Sequence, residues 1–191
     1  MKKILVILFI TVMLLTGCKS EETNYLSGKI NAEIEVENYG TISLELDADT
    51  APITVTNFVN LVNEKFYDGL TFHRIIDGFM IQGGDPDHNG SGGSQKLIKG
   101  EFSLNGVENN ISHVRGVISM ARASYSYNSA SSQFFIVQED STYLDGSYAA
   151  FGYVTEGMDI VDKIAEDAIV EDDNGTVLYE NQPVITSIII K

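Results

Sequence analysis

The chain has very little cysteine, proline and positive charge. Its 191 residues include one cysteine, Cys18, so an intramolecular disulfide is excluded. Lysine and arginine together number 12 against 27 acidic residues, which gives a formal net charge of -15. Because such a chain repels phosphates, we expect no nucleic-acid partner. The acidity is consistent with solubility, and alternatively with a preference for basic clients.

Several motifs of common enzyme classes are also missing. No G-x-S-x-G elbow and no phosphate-cradling P-loop occurs, so hydrolase and nucleotide chemistry are poorly supported. The three histidines, His73, His88 and His113, form no HxxxH pair of the kind that binds zinc. The segment 85–90, "DPDHNG", has the opening spacing of a calcium loop, but Lys96 stands where the twelfth-position acid is required. We therefore expect neither a metal nor a cofactor, and we expect His73 and His113 to be hydrogen-bonded core histidines.

The first 17 residues differ in character from the rest of the chain. Lys2 and Lys3 precede an apolar run that is typical of an export signal and short for a membrane span. The run ends in "LTGC", which resembles the lipobox of bacterial lipoproteins. That resemblance implies a signal peptide over 1–17 that is removed and a lipid on Cys18. An incidental Cys18 in an ordinary signal or an uncleaved anchor is the alternative.

Three segments follow from this division. Residues 1–17 are the predicted lipoprotein signal, and 18–29 are the predicted lipidated N-terminus and flexible tether, since they are polar and without periodicity. Residues 30–191 are the predicted folded domain. The expected localisation is extracytoplasmic, with the domain anchored by lipid to the cell membrane.

The pattern of the domain indicates a mainly β fold. Alternating apolar residues over 32–47 predict a β-hairpin, and Asn174-Gly175 is a strong two-residue hairpin signal. Helical spacing follows Pro52, with Asp49 or Thr50 as the expected cap, and recurs from Met158 onward. Many short strands with two amphipathic helices predict a closed antiparallel barrel capped by the helices, because an open sheet would leave exposed edges.

One charge in this pattern needs an explanation. Arg74 lies in "FHRIIDGFMIQGGDP" (72–86), a run that otherwise indicates two short buried strands around a turn. Burying a guanidinium is costly unless something pairs with it. A two-residue turn at Asp77-Gly78 would pair Arg74 with Ile81, so periodicity alone does not bring Arg74 to Gln82. A snorkelling arginine, an internal ion pair and a functional role all remain open from the pattern.

The same stretch closely resembles the signature of the cyclophilins, a family of peptidyl-prolyl cis/trans isomerases. Further similar stretches are spread in family order along roughly 30–191: "TISLELDADTAPITVTNFVNLV", "HVRGVISMARA", "NSASSQFFIV", "YLDGSYAAFGYV" and "PVITSIII". The resemblance implies an eight-stranded antiparallel barrel capped by two helices, with the active groove on an outer face.

The resemblance also implies roles for particular residues. Arg74 corresponds to the catalytic arginine and Gln82 to a polar group that acts with it. The remaining implied substrate-binding residues are Phe79, Met80, Ala121, Arg122, Ala123, Gln133, Phe135, Tyr143, Leu144 and Tyr148. Tyr143 stands where many eukaryotic members have the tryptophan that helps to hold cyclosporin, and Tyr148 replaces a pocket histidine.

The expected function is therefore isomerisation of X–Pro bonds in exported proteins at the outer face of the cell membrane. The expected partners are proline-containing polypeptides and, through Cys18, the membrane, and the domain is expected to act as a monomer. The alternative is a proline-peptide-binding chaperone module with little turnover, a possibility that Tyr143 and Tyr148 leave open.

Overall fold

The computed structural model describes residues 24–191 and contains eight strands and two α-helices. The predicted signal over 1–17 and the predicted lipidation residue Cys18 lie outside the described residues. The elements are β1 Lys29–Val36, β2 Gly40–Asp47, α1 Pro52–Asn63, β3 Phe72–Ile76, β4 Met80–Gly83, β5 Val117–Met120, β6 Phe134–Val137, β7 Ala149–Glu156, α2 Met158–Asp167 and β8 Ile185–Ile190. No helix within 24–191 is long and apolar enough to cross a membrane.

All neighbouring strands in the sheet are antiparallel, in the order β3-β4-β6-β5-β7-β2-β1-β8. The predicted hairpin over 32–47 is confirmed as β1 and β2, which pair from Lys29–Asp47 to Val36–Gly40. The turn between them places Asn38 at a φ of 64°, a conformation that asparagine tolerates better than most residues. In the order of the sheet, this hairpin and β8 lie at one end, and β3, β4, β6 and β5 lie at the other, with β7 between the two groups.

The prediction of a closed barrel is wrong, because β3 and β8 do not form a strand ladder. A single antiparallel bridge between Thr71 and Val184 spans the gap between them. The free edge of β3 pairs instead with the turn that follows α2: Ile75 N donates to Gly175 O over 2.8 Å, and Val177 N donates to His73 O. Because these backbone groups of β3 bond to residues 175–177 and not to β8, the sheet stays open.

Helix α1 begins at Pro52, as predicted, but its N-terminus is capped differently. Ala51 is the N-cap residue and makes no side-chain cap, so the expected capping by Asp49 or Thr50 is wrong. The buried carboxylate of Glu101 accepts from the backbone N–H groups of Ile53 (3.0 Å) and Thr54 (2.7 Å). A carboxylate at this end satisfies unpaired amides and favours the helix dipole, which explains why a buried acid is tolerated.

The N-terminal boundary of the folded domain lies slightly earlier than expected. Strand β1 begins at Lys29, and Leu26 packs against the core while its N–H donates to the Thr56 hydroxyl over 2.8 Å. Gly28 N donates to Asp49. Residues 26–29 therefore belong to the fold and not to the predicted tether.

Two apolar clusters lie on opposite faces of β4, β5, β6 and β7. The inner cluster includes Phe134 and Ile136 of β6, together with buried residues of both helices such as Phe58 and Ile164. The outer cluster contains Met80, Ile111, Val117, Phe135, Val137 and Ala150. Because side chains alternate along a strand, each of these short strands contributes to both clusters.

Candidate active site

The hairpin of β3 and β4 places Arg74 directly opposite Gln82. Ile76 pairs with Met80, so the loop between the strands has three residues, Asp77, Gly78 and Phe79, where a two-residue turn would have paired Arg74 with Ile81. Gly78 has a φ of 76°, which glycine adopts without the strain that a Cβ would cause. One additional loop residue therefore creates the contact that periodicity left undecided.

The Arg74 side chain is half-buried and held by three neighbours. Its Nε donates to the carbonyl of Asn174 over 2.8 Å, and Nη1 donates to Gln82 Oε1 over 3.2 Å and lies 3.9 Å from Met80 Sδ. Burial lowers the pKa of Arg74, with an opposing influence from Tyr148, Asp172 and Tyr143. None of the ion pairs within residues 24–191 involves Arg74, so its charge is not neutralised by a carboxylate.

A cavity of about 220 Å³ lies beside Arg74 on the outer face of the sheet. Nine of the predicted site residues line it: Arg74, Phe79, Met80, Gln82, Ala121, Arg122, Phe135, Leu144 and Tyr148. The outer apolar cluster supplies its walls, and Arg74 and Gln82 supply hydrogen-bonding groups at one side. The cavity thus combines apolar walls with a charged donor in a space large enough for a small ring.

Phe135 in the cavity wall is supported by His113, whose hydrogen-bond partners the sequence did not predict. His113 stacks on Phe135 with ring centroids 6.0 Å apart, while its Nδ1 bonds to Asp145 and its Nε2 bonds to the Ser119 hydroxyl. Although these three residues form a Ser-His-Asp arrangement, Ser119 is fully buried, so it is not available as a nucleophile. Burial lowers the pKa of His113, and the hydrogen bond to Asp145 opposes that shift.

A second cavity of about 320 Å³ adjoins the first and accounts for two more predicted residues. Gln133 and Ala123 line it, together with the glycine-rich segment 90–94. Gln82, Ala121 and Arg122 line both cavities, which makes them parts of one groove.

Aromatic rings hold Arg122 at the junction of the two cavities. Its guanidinium carbon lies 4.8 Å from the ring centre of Tyr148, 5.0 Å from that of Tyr127 and 5.5 Å from that of Phe102. Its Nε donates to the carbonyl of Ser147 over 2.9 Å. Cation–π contacts at these distances restrain the side chain, so Arg122 is an ordered part of the groove wall.

Tyr143 is the one predicted site residue that lines neither cavity. It is 71% exposed and touches the site through Phe79, with ring centroids 6.0 Å apart. The structure therefore places it at the rim of the groove.

The two histidines predicted to be hydrogen-bonded in the core have different outcomes. The prediction is confirmed for His113, but it is wrong for His73, whose two ring nitrogens are buried without a hydrogen-bond partner. Burial lowers the pKa of His73 to about 4, with Asp85 opposing the shift. Within 24–191, no group of three or more His, Cys, Asp or Glu side chains has a metal-binding arrangement.

Sequence reasoning also missed the backbone that holds Arg74. The turn at Asn174-Gly175 forms, but the two-residue hairpin that this pair predicts is wrong. Val170 bridges Val177 and Gly175 N donates to Asp172 O, so the turn spans residues 172–175. Its position against β3, which brings the Asn174 carbonyl to Arg74, depends on a contact between residues 100 positions apart. No local sequence pattern predicts a contact between residues so far apart in the chain.

Comparison with known proteins agrees with this geometry. Residues 31–190 match the family of cyclophilin type peptidyl-prolyl cis-trans isomerases. A peptidyl-prolyl cis-trans isomerase of Helicobacter pylori is 45% identical over 136 residues, which cover 70% of this chain and 80% of that protein. Peptidyl-prolyl cis-trans isomerase B of Bacillus subtilis is 41% identical over 145 residues, covering 76% of this chain and 92% of that protein.

A solved structure shares the fold. The cyclophilin type isomerase of Cryptosporidium parvum, determined in the presence of the dipeptide Ala-Pro, superposes with a TM-score of 0.74 at 30% identity and covers 84% of this chain and 98% of its own. The fold and the groove thus define an isomerase of proline peptide bonds. The chain belongs to the cyclophilin type peptidyl-prolyl cis-trans isomerase family, and it has the activity of that family.

Proposed function

We propose that Arg74 is the catalytic donor for isomerisation of X–Pro bonds in exported proteins, and that the domain works at the outer face of the cell membrane through a lipid on Cys18. The observation that carries the catalytic part is the direct pairing of Arg74 with Gln82 beside a cavity that has Phe79, Met80 and Phe135 in its wall. The export signal pattern of 1–17 and the lipobox-like "LTGC" support the location.

The reaction requires a stabilised twisted amide. Rotation about a peptide bond has a barrier of about 18–20 kcal/mol because the nitrogen lone pair is delocalised into the carbonyl. When the bond twists, the nitrogen regains its lone pair and becomes a hydrogen-bond acceptor. The guanidinium of Arg74 can donate to that nitrogen at any working pH, because arginine keeps its charge. No nucleophile and no acid–base pair is needed.

The remainder of the site positions the substrate. Phe79, Met80 and Phe135 form apolar walls that fit a proline ring, while Gln82 provides an amide for the neighbouring peptide backbone. An acceleration of about 10⁵-fold corresponds to roughly 7 kcal/mol. A single charge-assisted hydrogen bond contributes about 1.5–3 kcal/mol, so preorganised electrostatics and positioning in the groove must supply the rest.

The catalytic role is tested by refolding of a protein whose folding is limited by a cis-proline. The wild-type domain at a substoichiometric dose should accelerate the slow phase, and Arg74→Ala should reduce kcat/KM by about 100-fold, as loss of a preorganised donor does elsewhere. Lys99→Ala, which removes an exposed charge away from the groove lining, is the matched control and should retain full activity. Equal rates for Arg74→Ala and the wild type would refute the assignment.

The same assay separates catalysis from binding alone. An isomerase shortens the slow phase at each small dose, whereas a peptide-binding chaperone with little turnover acts only at stoichiometric dose. Acceleration that requires one domain per refolding chain would favour the chaperone.

The location is tested independently in the producing cell. Cys18→Ser should abolish incorporation of labelled fatty acid and release the protein from the membrane fraction or leave the signal uncleaved. Unchanged labelling and unchanged membrane association would contradict the lipid anchor without affecting the catalytic assignment.

A further inference from the structure

A chain of hydrogen bonds links Arg74 to a glycine-rich loop through two glutamine side chains. Gln133 Nε2 donates to the carbonyls of Gly92 (2.8 Å) and Gly90 (3.1 Å), and Gln133 Oε1 accepts from Gln82 Nε2 over 2.8 Å. Gln82 Oε1 then accepts from Arg74 Nη1 over 3.2 Å. We call the loop residues 85–93 the glycine loop and the two glutamines the amide relay.

The orientation of both amides in the relay follows from the groups at its two ends. The carbonyls of the glycine loop can only accept, so they require the NH₂ group of Gln133. Gln133 then offers only its oxygen to Gln82, which must donate with its own NH₂ group and present its oxygen to Arg74. Arg74 is a donor only, so this arrangement satisfies every group, whereas turning either amide over would place two donors or two acceptors together.

The glycine loop is itself rigidly built. The fully buried Asp85 accepts from the backbone N–H groups of Asp87 (2.9 Å), Asn89 (3.1 Å) and Gly90 (2.5 Å). Burial opposes ionisation of Asp85, but these backbone hydrogen bonds outweigh it and lower its pKa. A Cβ at Gly92 would collide with the side chains of Asp85 and Asp87, so the loop depends on glycine there. The segment that fails as a calcium loop thus forms a fixed frame for two carbonyl groups.

We propose that Gln133 is a positioning residue: through the amide relay, the carbonyls of Gly90 and Gly92 fix Gln82 Oε1 toward Arg74 and so keep the guanidinium aimed into the cavity. This role differs from the substrate contact that the family resemblance implies for Gln133. Both N–H groups of the Gln133 side chain donate to carbonyls of the glycine loop, and its oxygen accepts from Gln82. The side chain therefore has no free donor for a substrate. The inference rests on the proposed catalytic role of Arg74.

The sharpest test is Gln133→Glu, because its effect should depend on pH. An ionised carboxylate has no proton for the carbonyls of Gly90 and Gly92 and repels them, so at pH 8 kcat should fall about tenfold, or ~1.4 kcal/mol, while KM stays within about twofold. As pH falls the carboxyl group gains a proton that can be donated to a carbonyl, and the carbonyls favour this neutral form. The ratio of variant to wild-type kcat should therefore rise between pH 8 and pH 5.

Other titrating groups near the relay do not produce this signature. The charged and titratable groups around it are Arg74 of β3, Arg122 after β5, His73 beneath the glycine loop, and Asp85, Asp87 and His88 within that loop. The pKa of His73 is about 4 and that of Asp85 is lowered, so these two groups titrate below the measured range. These groups also titrate in the wild type and cancel in the ratio. Gln95→Glu, which adds the same acid to a nearby exposed position, is the matched control and should give a flat ratio.

A second variant keeps the test decisive if Gln133→Glu folds poorly. Gln133→Met has a similar shape without polar atoms, so it should lower kcat by the same factor at every pH, and the NMR signal of Arg74 Nε–H should broaden as the guanidinium loses its fixed partner. A change confined to KM, or full kcat in Gln133→Met, would overturn the proposal.

The failure of this proposal can be told apart from failure of the proposed function. If the wild type were no faster than Arg74→Ala, the proposed function would fail. If the wild type were faster and the Gln133 variants kept their kcat, only the positioning role would fail.

Discussion

The inner and outer faces of the same four strands serve different purposes. In β6, Phe134 and Ile136 point into the inner cluster, and Phe135 and Val137 point into the outer one. Both helices contribute to the inner cluster, for example through Phe58 and Ile164, whereas neither helix contributes to the outer cluster, whose other members come from β3 and from connecting segments. The inner face is therefore covered by both helices, and the outer face keeps a cavity.

The difference shows how one sheet supports both stability and catalysis. The inner face is packed mainly by apolar side chains, which fill the space between the sheet and the helices. The outer face is bordered by Arg74, Gln82 and Gln133, which must remain hydrated or hydrogen-bonded, and the same border leaves room for a substrate. Alternation along the strands lets adjacent residues fulfil these separate requirements.

Two neighbouring phenylalanines provide the strongest test of this comparison. Phe134→Ala should lower the free energy of unfolding by about 3–5 kcal/mol, because it opens a cavity in a core that cannot readily collapse. Phe135→Ala should cost about 3 kcal/mol, the low end of that range, since Phe135 already borders an open cavity. Urea unfolding measures both changes.

Activity should follow the opposite order. Phe135→Ala should reduce kcat/KM for an X–Pro peptide by about tenfold, because the proline ring loses apolar contact. Phe134→Ala should leave kcat/KM of the folded fraction within about twofold, and Phe134→Leu offers a milder variant if the alanine protein does not fold. Equal losses of activity in the two alanine variants would show that the faces are not separate.

The next largest effect concerns the pH dependence of stability, because His73 is buried without a hydrogen-bond partner. His73 has a pKa of about 4 in the folded protein against about 6.5 when unfolded, so the unfolded chain binds more protons in between. Stability should be complete above about pH 6.5 and should decrease by about 3 kcal/mol as pH falls to 4. His73→Leu should flatten this part of the urea-unfolding profile, leaving the contribution of His113, whose pKa burial also lowers.

A variant of the inner face is the control for the pH experiment. Val55→Ala should lower the free energy of unfolding by the same amount at pH 7 and at pH 5, because it removes only apolar contacts of the inner cluster and changes no titrating group. A profile for His73→Leu as steep as that of the wild type would contradict the assignment of the pH dependence to His73.

The smallest effect is expected at the rim of the groove. Tyr143 is largely exposed and contacts Phe79, so Tyr143→Ala should change the free energy of unfolding by less than about 0.5 kcal/mol. Its loss should raise KM for a peptide by at most about threefold, with kcat unchanged. A large fall in kcat would show that the rim takes part in the reaction itself.

Local patterns predicted much of the fold. The hairpin over 32–47 and the start of α1 at Pro52 follow from alternation and from residues with strong conformational preferences. Asn174-Gly175 indicated the place of a turn but not its length, because the loop spans 172–175. The cap of α1 could not be predicted in this way, because Glu101 reaches it from 47 or 48 positions along the chain. The open side of the sheet was also unpredicted, since the pairing of β3 with 175–177 depends on the packed arrangement of distant segments.

The sequence by itself determined which residue types are available: an arginine and two glutamines among apolar strands, glycines where turns need a positive φ, and two apolar faces encoded by alternation. Only the tertiary structure decided that the loop after Arg74 has three residues, that Gln133 lies between Gln82 and the glycine loop, and that the Asn174 carbonyl meets the guanidinium. The physical reason is that alternation along a strand determines which face of the sheet a side chain lies on. The register between strands and the contacts between distant loops depend on how the whole chain folds.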